Sequence, residues 1–64
     1  MNPDARVFVA GHLGLVGSAV VRELERSGHR RLLLRTRAEL DLCDASAVDT
    51  FFRAERPEYV VMAA

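Results

Sequence analysis

The chain contains no lysine; all nine of its basic residues are arginine. A Walker-type phosphate loop needs a lysine directly after its glycines, so that class of nucleotide site is excluded. The single cysteine, Cys43, excludes an internal disulfide and supplies no metal cluster. Cys43 is expected as a small, half-buried hydrophobe, and its solitude fits a reducing, cytoplasmic setting. Net charge is zero, which gives no pull toward nucleic acid or an anionic membrane surface. No apolar run approaches the roughly 18 residues of a membrane span, and the opening MNPDAR lacks the apolar core of a secretory signal. With 64 residues there is room for one small unit, and a chain of this size buries only about 60% of its unfolded surface.

What is present is a regular alternation of apolar runs and amphipathic stretches. RVFVA, residues 6–10, is β-branched and aromatic without polar alternation, as in a strand buried on both faces of a parallel sheet. Val16, Ala19, Val20 and Leu24 then recur at three- and four-residue spacing, the apolar stripe of a helix. On its polar side Arg22 faces Glu25, and Glu23 faces Arg26, as exposed pairs of little energetic weight. Gly28 is a natural left-handed stop. RLLL, residues 31–34, is a second strand, and Asp41-Leu42-Cys43 is expected as a very short third. Asp44 is a good N-cap for a helix from Ala45 to about Glu55, with Val48, Phe51 and Phe52 inward, ended by Pro57. Tyr59 to Ala64 reads as another buried strand.

Strands and helices in this order predict an α/β fold, the N-terminal part of a Rossmann-like parallel sheet with flanking helices. The apolar final run suggests that residues 1–64 are the first portion of a single dinucleotide-binding domain that continues beyond them. Alone, with few strands and open sheet edges, they are expected to fold poorly or aggregate.

Gly11, Gly14 and Gly17 stand at every third position where the first strand turns into the first helix. The first permits the tight turn, the second leaves no side chain between helix start and pyrophosphate, and the third lets the helix pack close to the strand. N–H groups freed at the helix start face the phosphates, with help from the helix dipole. His12, inside this loop, is within reach of phosphate; His29, after Gly28, is expected at the surface. The cofactor-binding residues of the turn are therefore Gly11, His12, Gly14, Leu15, Val16 and Gly17. The spacing is G-x-x-G-x-x-G, one residue longer than G-x-G-x-x-G between the first two glycines.

An NAD site carries an acid about 20 residues past the glycines, to hold the ribose 2′-hydroxyl. Here that place reads Leu34-Arg35-Thr36-Arg37. Two guanidinium groups attract a 2′-phosphate, so NADP is the expected cofactor, with Arg35 and Arg37 as its ligands and Glu39 and Asp41 as a mild counterweight.

The stretches RVFVAGHLGLVGSAVVREL, LLLRTRAELDLCD and YVVMAA together resemble the amino-terminal end of the GDP-L-fucose synthase group of the extended short-chain dehydrogenase/reductase family. The resemblance covers essentially the whole chain. It implies that Gly11, Gly14 and Gly17 line the pyrophosphate, that Arg37 meets the 2′-phosphate, and that Asp41 and Leu42 flank the adenine. It places Ala63 and Ala64 against the cofactor ribose. Leu13 departs from the pattern, since many bacterial members carry a basic residue there. The implied reaction is NADPH-dependent 3,5-epimerisation and 4-reduction of a GDP-4-keto-6-deoxy-D-mannose substrate, in a homodimer. The family's Ser, Tyr-x-x-x-Lys pair and assisting Cys and His match no position here, so no catalytic residue is assigned. Alternative readings are another sugar-nucleotide epimerase or dehydratase of the extended family, or a non-catalytic NADP-binding module.

Overall fold

The structure is a computed structural model, and it describes residues 2–63. In chain order they form β1 (Val7–Ala10), α1 (Leu15–Arg26), β2 (Leu32–Leu34), α2 (Ala45–Glu55) and β3 (Tyr59–Met62). The strands are parallel and ordered β2-β1-β3, with Phe8 opposite Leu33 on one side and Val60 on the other. The chain thus moves outward from β1 to β2 and then returns across β1 to reach β3. Two right-handed crossovers in opposite directions lay their helices on opposite faces of the sheet. This is the α/β, Rossmann-like arrangement that the sequence predicts.

β1 is the best-buried element, with all four residues at 2% exposure or less. Its pleat splits it. Phe8 and Ala10 face α2 and join Leu40 and Phe51 in the core, backed by Leu33, Ala47, Val48 and Phe52. Val7 and Val9, on the opposite pleat, are closed off completely. The three phenylalanines form one cluster, with Phe8 and Phe51 ring centroids 4.8 Å apart. Such pairs add about 0.5–1.5 kcal/mol beyond burial.

α1 ends in a Schellman motif. His29 N–H reaches the Leu24 carbonyl, Gly28 N–H reaches that of Glu25, and Gly28 takes φ +90°. α2 ends at Arg56, which is left-handed at φ 50° before Pro57 and whose carbonyl accepts from Arg6 Nε at 3.1 Å. No helix is long and apolar enough to cross a membrane among the described residues.

Six local expectations differ from the structure. Asp41-Leu42-Cys43 is not a strand: the Asp41 carboxylate accepts from Cys43 N–H at 2.9 Å and its carbonyl from Asp44 N–H, which folds the segment into a turn. Cys43 is exposed on that turn rather than half-buried. β3 is not buried: it is an edge strand of the described sheet, and Tyr59, Val60 and Met62 are exposed. On α1 the covered face runs through Gly17, Val20, Val21 and Leu24, leaving Val16 and Ala19 exposed, because Gly17 draws the helix down on its own side. His29 is half-buried, its Nδ1 3.2 Å from the Leu24 carbonyl, because the Schellman turn folds it back against α1. Of the two surface pairs expected on α1, Glu23 with Arg26 forms; Arg22 with Glu25 does not appear among the described residues.

Candidate functional site

A cleft of about 370 Å³ opens at the carboxyl ends of β1 and β2. Open parallel sheets bind ligands at this end, where the strand connections reverse direction. Three short segments line it: Ala10 to Gly14 after β1, Arg35 to Arg37 after β2, and Leu40 to Cys43 before α2, with Phe8 as its floor.

The glycine turn is built by backbone alone. Gly11 leaves β1 at φ +82°, a left-handed conformation that side chains resist. Its carbonyl accepts from Gly14 N–H at 3.1 Å. Gly17 then passes directly over this carbonyl: a Cβ on Gly17 lies 1.8 Å from Gly11 O and 3.0 Å from His12 Cα. The close approach is therefore to the turn after β1 rather than to the strand itself. Gly14 is different. A Cβ there meets only Gly11 O, at an ordinary 3.5 Å, so the chain's own packing does not demand glycine at this position.

Gly14 is also the N-cap of α1, and it offers no side chain to cap the helix. The first helical hydrogen bond is donated by Ser18 to the Gly14 carbonyl. Among the described residues, the N–H groups of Leu15, Val16 and Gly17 have no backbone acceptor, and no side chain takes that place. First-turn donors of this kind form a ready anion site, favoured by the helix dipole.

Across the cleft, the segment after β2 is held by two reciprocal bonds. Thr36 N–H donates to the Glu39 carboxylate at 2.8 Å, and Glu39 N–H donates to Thr36 Oγ1 at 3.3 Å. This is the geometry of a capping box closing one tight turn. The bonds from Thr36, with the nearby charges of Arg35 and His12, hold the Glu39 carboxyl below its ordinary pKa of 4.5. Its charge is thus directed at the turn's own backbone. Leu40 N–H closes the turn onto the Thr36 carbonyl at 2.8 Å, and the Leu40 side chain is buried in the core.

The two arginines flanking Thr36 stand in different states. Arg35 is half-buried: Nη1 donates to the Leu34 carbonyl at 2.9 Å, Nη2 lies 3.8 Å from Glu55 Oε1, and the guanidinium carbon stands 5.2 Å from the Phe51 ring centroid. Arg37 is exposed, and no carboxylate pairs with it among the described residues.

The cleft brings together seven of the residues singled out in the sequence: Gly11, His12, Gly14, Arg35, Arg37, Asp41 and Leu42. Gly17 lies beneath the turn, outside the lining. The side chains of Leu15 and Val16 are 87% and 62% exposed and also lie outside it. Ala63 N–H is bonded to the Ala10 carbonyl at 3.0 Å, beside the cleft and not in its lining. Ala64 lies outside the described residues. Phe8, Ala10, Leu13, Thr36, Leu40 and Cys43 also line the cleft and escaped the sequence reading as site residues. For Thr36 a signal was present, since Thr-x-x-Glu is the written form of a capping box.

Residues 7–64 match the sequence profile of the NAD dependent epimerase/dehydratase family. The chain is 55% identical over 63 residues to GDP-L-fucose synthase 1 of Arabidopsis thaliana, a match that covers 98% of this chain and 20% of that protein. It is 56% identical over 59 residues to the GDP-L-fucose synthase of Escherichia coli, covering 92% of this chain and 18% of that one. Among solved structures, the GDP-mannoheptose C4 reductase of Campylobacter jejuni with NADP bound superposes with a TM-score of 0.97 at 44% identity, over all of this chain and 20% of its own. The chain spans about a fifth of the length of these relatives.

Proposed function

The chain belongs to the NAD dependent epimerase/dehydratase family, and from that premise we propose that it is the NADP(H)-holding portion of a GDP-sugar 3,5-epimerase/4-reductase. The full-length enzyme converts GDP-4-keto-6-deoxy-D-mannose to GDP-L-fucose. Residues 1–64 are on this reading the amino-terminal part of one cytoplasmic NADP-binding domain, in a protein that acts as a homodimer. One observation carries the cofactor reading: among the described residues, Gly14, the N-cap of a helix whose first N–H groups have no acceptor, lines the same cleft as a turn that presents an arginine paired with no carboxylate.

NADPH, when bound, supplies the hydride that reduces a ketone at the sugar C4. The residues here hold and orient it. The N–H groups of Leu15, Val16 and Gly17 receive the pyrophosphate, and the dipole of α1 adds about 0.3–1 kcal/mol. Gly14 keeps the approach clear. Asp41 and Leu42 wall the adenine side, and Ala63 lies toward the ribose. Arg37 takes the 2′-phosphate, a charge-assisted contact worth about 1.5–3 kcal/mol. That corresponds to roughly a ten- to hundredfold preference for NADPH over NADH. The Glu39 carboxylate, the acid nearest Arg37 in this segment, is bonded to Thr36.

The test is calorimetric titration of the full-length protein with NADPH, NADP⁺ and NADH. Arg37→Met is expected to weaken NADPH by roughly ten- to a hundredfold while leaving NADH within about twofold. Equal losses for the two cofactors contradict the role given to Arg37, and no heat with NADPH or NADP⁺ removes the whole reading. A second reading, a C4 reductase of another GDP-sugar, has the support of the heptose-acting structural neighbour. Analysis of the product formed from GDP-4-keto-6-deoxy-D-mannose and NADPH separates the two.

A further inference from the structure

We infer that Arg35 is a positioning residue that fastens the adenosine side of the cleft to α2, and not a second phosphate ligand; the inference rests on the NADP reading above. Its guanidinium is engaged on three sides, by the Leu34 carbonyl at the end of β2, the face of Phe51, and Glu55 at the end of α2. Phe51 is itself in the core, against Phe8. Arg35 therefore joins the last residue of β2 to the helix on the other side of the phenylalanine cluster.

This attachment sits at the base of the segment that walls the cleft. The turn from Thr36 to Leu40 begins one residue after Arg35 and ends with Leu40 buried in the same core. Arg37 rides on that turn, and Asp41 and Leu42 follow it. With both ends anchored, the turn holds Arg37 at a fixed height above the cleft, while its guanidinium remains available. Loss of the Arg35 attachment loosens the whole wall, which every adenine dinucleotide touches, whether or not it carries a 2′-phosphate.

A phosphate ligand and a fastener predict different cofactor patterns. In the full-length protein, Arg35→Met is expected to weaken NADPH and NADH together, by roughly three- to tenfold, since a half-exposed ion pair and a cation–π contact are modest interactions. The ratio of the two affinities stays as in the unaltered protein. Arg35→Lys is expected to rescue little, because an ammonium lacks the planar fork that bonds and stacks at once. Glu55→Gln, measured in parallel, is expected to weaken both cofactors in the same direction. A phosphate ligand behaves in the opposite way: Glu55→Gln releases Arg35 and tightens NADPH alone, and Arg35→Lys restores most of the NADPH affinity that Arg35→Met loses. Either of those results, a collapse of the NADPH-to-NADH ratio in Arg35→Met, or unchanged affinities in it, overturns the inference alone. Failure of the unaltered protein to bind either NADPH or NADP⁺ overturns the cofactor reading as well.

Discussion

At the start of α2 the chain caps its own helix: the Asp44 carboxylate accepts from Ala47 N–H at 3.1 Å. At the start of α1 the equivalent N-cap is Gly14, which lines the cleft and has no side chain to offer, and the first-turn donors have no acceptor among the described residues. Relative to a good N-cap, alanine costs about 0.5–2 kcal/mol and glycine only a few tenths. α1 forgoes a few tenths of a kcal/mol at a helix start whose N-cap lines the cleft, whereas Asp44, the N-cap of α2, lies outside the lining and supplies its own acceptor. On the reading proposed above, the difference separates a helix start that serves folding from one kept for an anion. It also orders the substitutions that test it.

The largest effect is expected at Gly17. An alanine Cβ there is driven into the Gly11 carbonyl at 1.8 Å, and backbone cannot yield as a side-chain tip can. Gly17→Ala must lift α1 off the turn, at a cost of about 1–3 kcal/mol or more. Thermal unfolding of the full-length protein should show the loss, and NADPH titration should show binding lost with it. A variant that melts and binds like the unaltered protein removes the close approach from the account.

Gly14→Ala sharpens the comparison, because the chain itself leaves room for the methyl group, 3.5 Å from its nearest neighbour. Stability is expected to fall by less than about 1 kcal/mol, the difference between glycine and alanine as an N-cap. Cofactor affinity is expected to fall further, by roughly tenfold or more, since the methyl group stands where a pyrophosphate meets the helix start. Gly17 and Gly14 thus part into a folding glycine and a binding glycine. Equal melting losses in the two variants merge them again.

The same division explains how much was legible in the sequence. β1, β2 and both helices announced themselves through apolar runs, helical spacing and the punctuation of Asp44, Gly28 and Pro57, and they were found within a residue or two. The glycine turn was legible because steric demands on backbone are written as glycine. Less legible were features that depend on partners distant in the chain. The burial of β3 was overestimated, because an apolar run does not reveal whether a second strand covers its outer edge. Asp41 to Cys43 was misread because a carboxylate folding back on its own backbone competes with strand pairing in a way that composition hides. Arg35 and Arg37 look equivalent in sequence. Only Phe51 and Glu55, brought over from α2, distinguish them.

A smaller effect is expected at Asp44, where Asp44→Ala removes the cap of α2. The cap stands on the surface, outside the lining of the cleft, so about 1 kcal/mol of stability should be lost with NADPH affinity unchanged. A loss of affinity there erases the contrast between the two helix starts.

The smallest effect belongs to the Thr36–Glu39 turn and appears as a pH dependence. Its carboxyl is held below 4.5 in the folded chain, first by the Thr36 N–H and then by the Thr36 hydroxyl. A depressed folded pKa means that the carboxylate stabilises the turn fully above about 4.5 and progressively less as pH falls through the folded value. Protonated, Glu39 accepts the Thr36 N–H more weakly, and the wall that carries Arg37 relaxes. Glu39→Gln should therefore reproduce at neutral pH, in reduced form, what acid does to the unaltered protein: a slightly weaker hold on NADPH with little change in melting temperature. Because glutamine does not titrate, its deficit should also stay flat as pH falls below about 4.5, where the unaltered protein loses its carboxylate. A Glu39→Gln protein whose NADPH affinity follows pH as steeply as the unaltered one places that dependence on another group and leaves the turn with a structural role only.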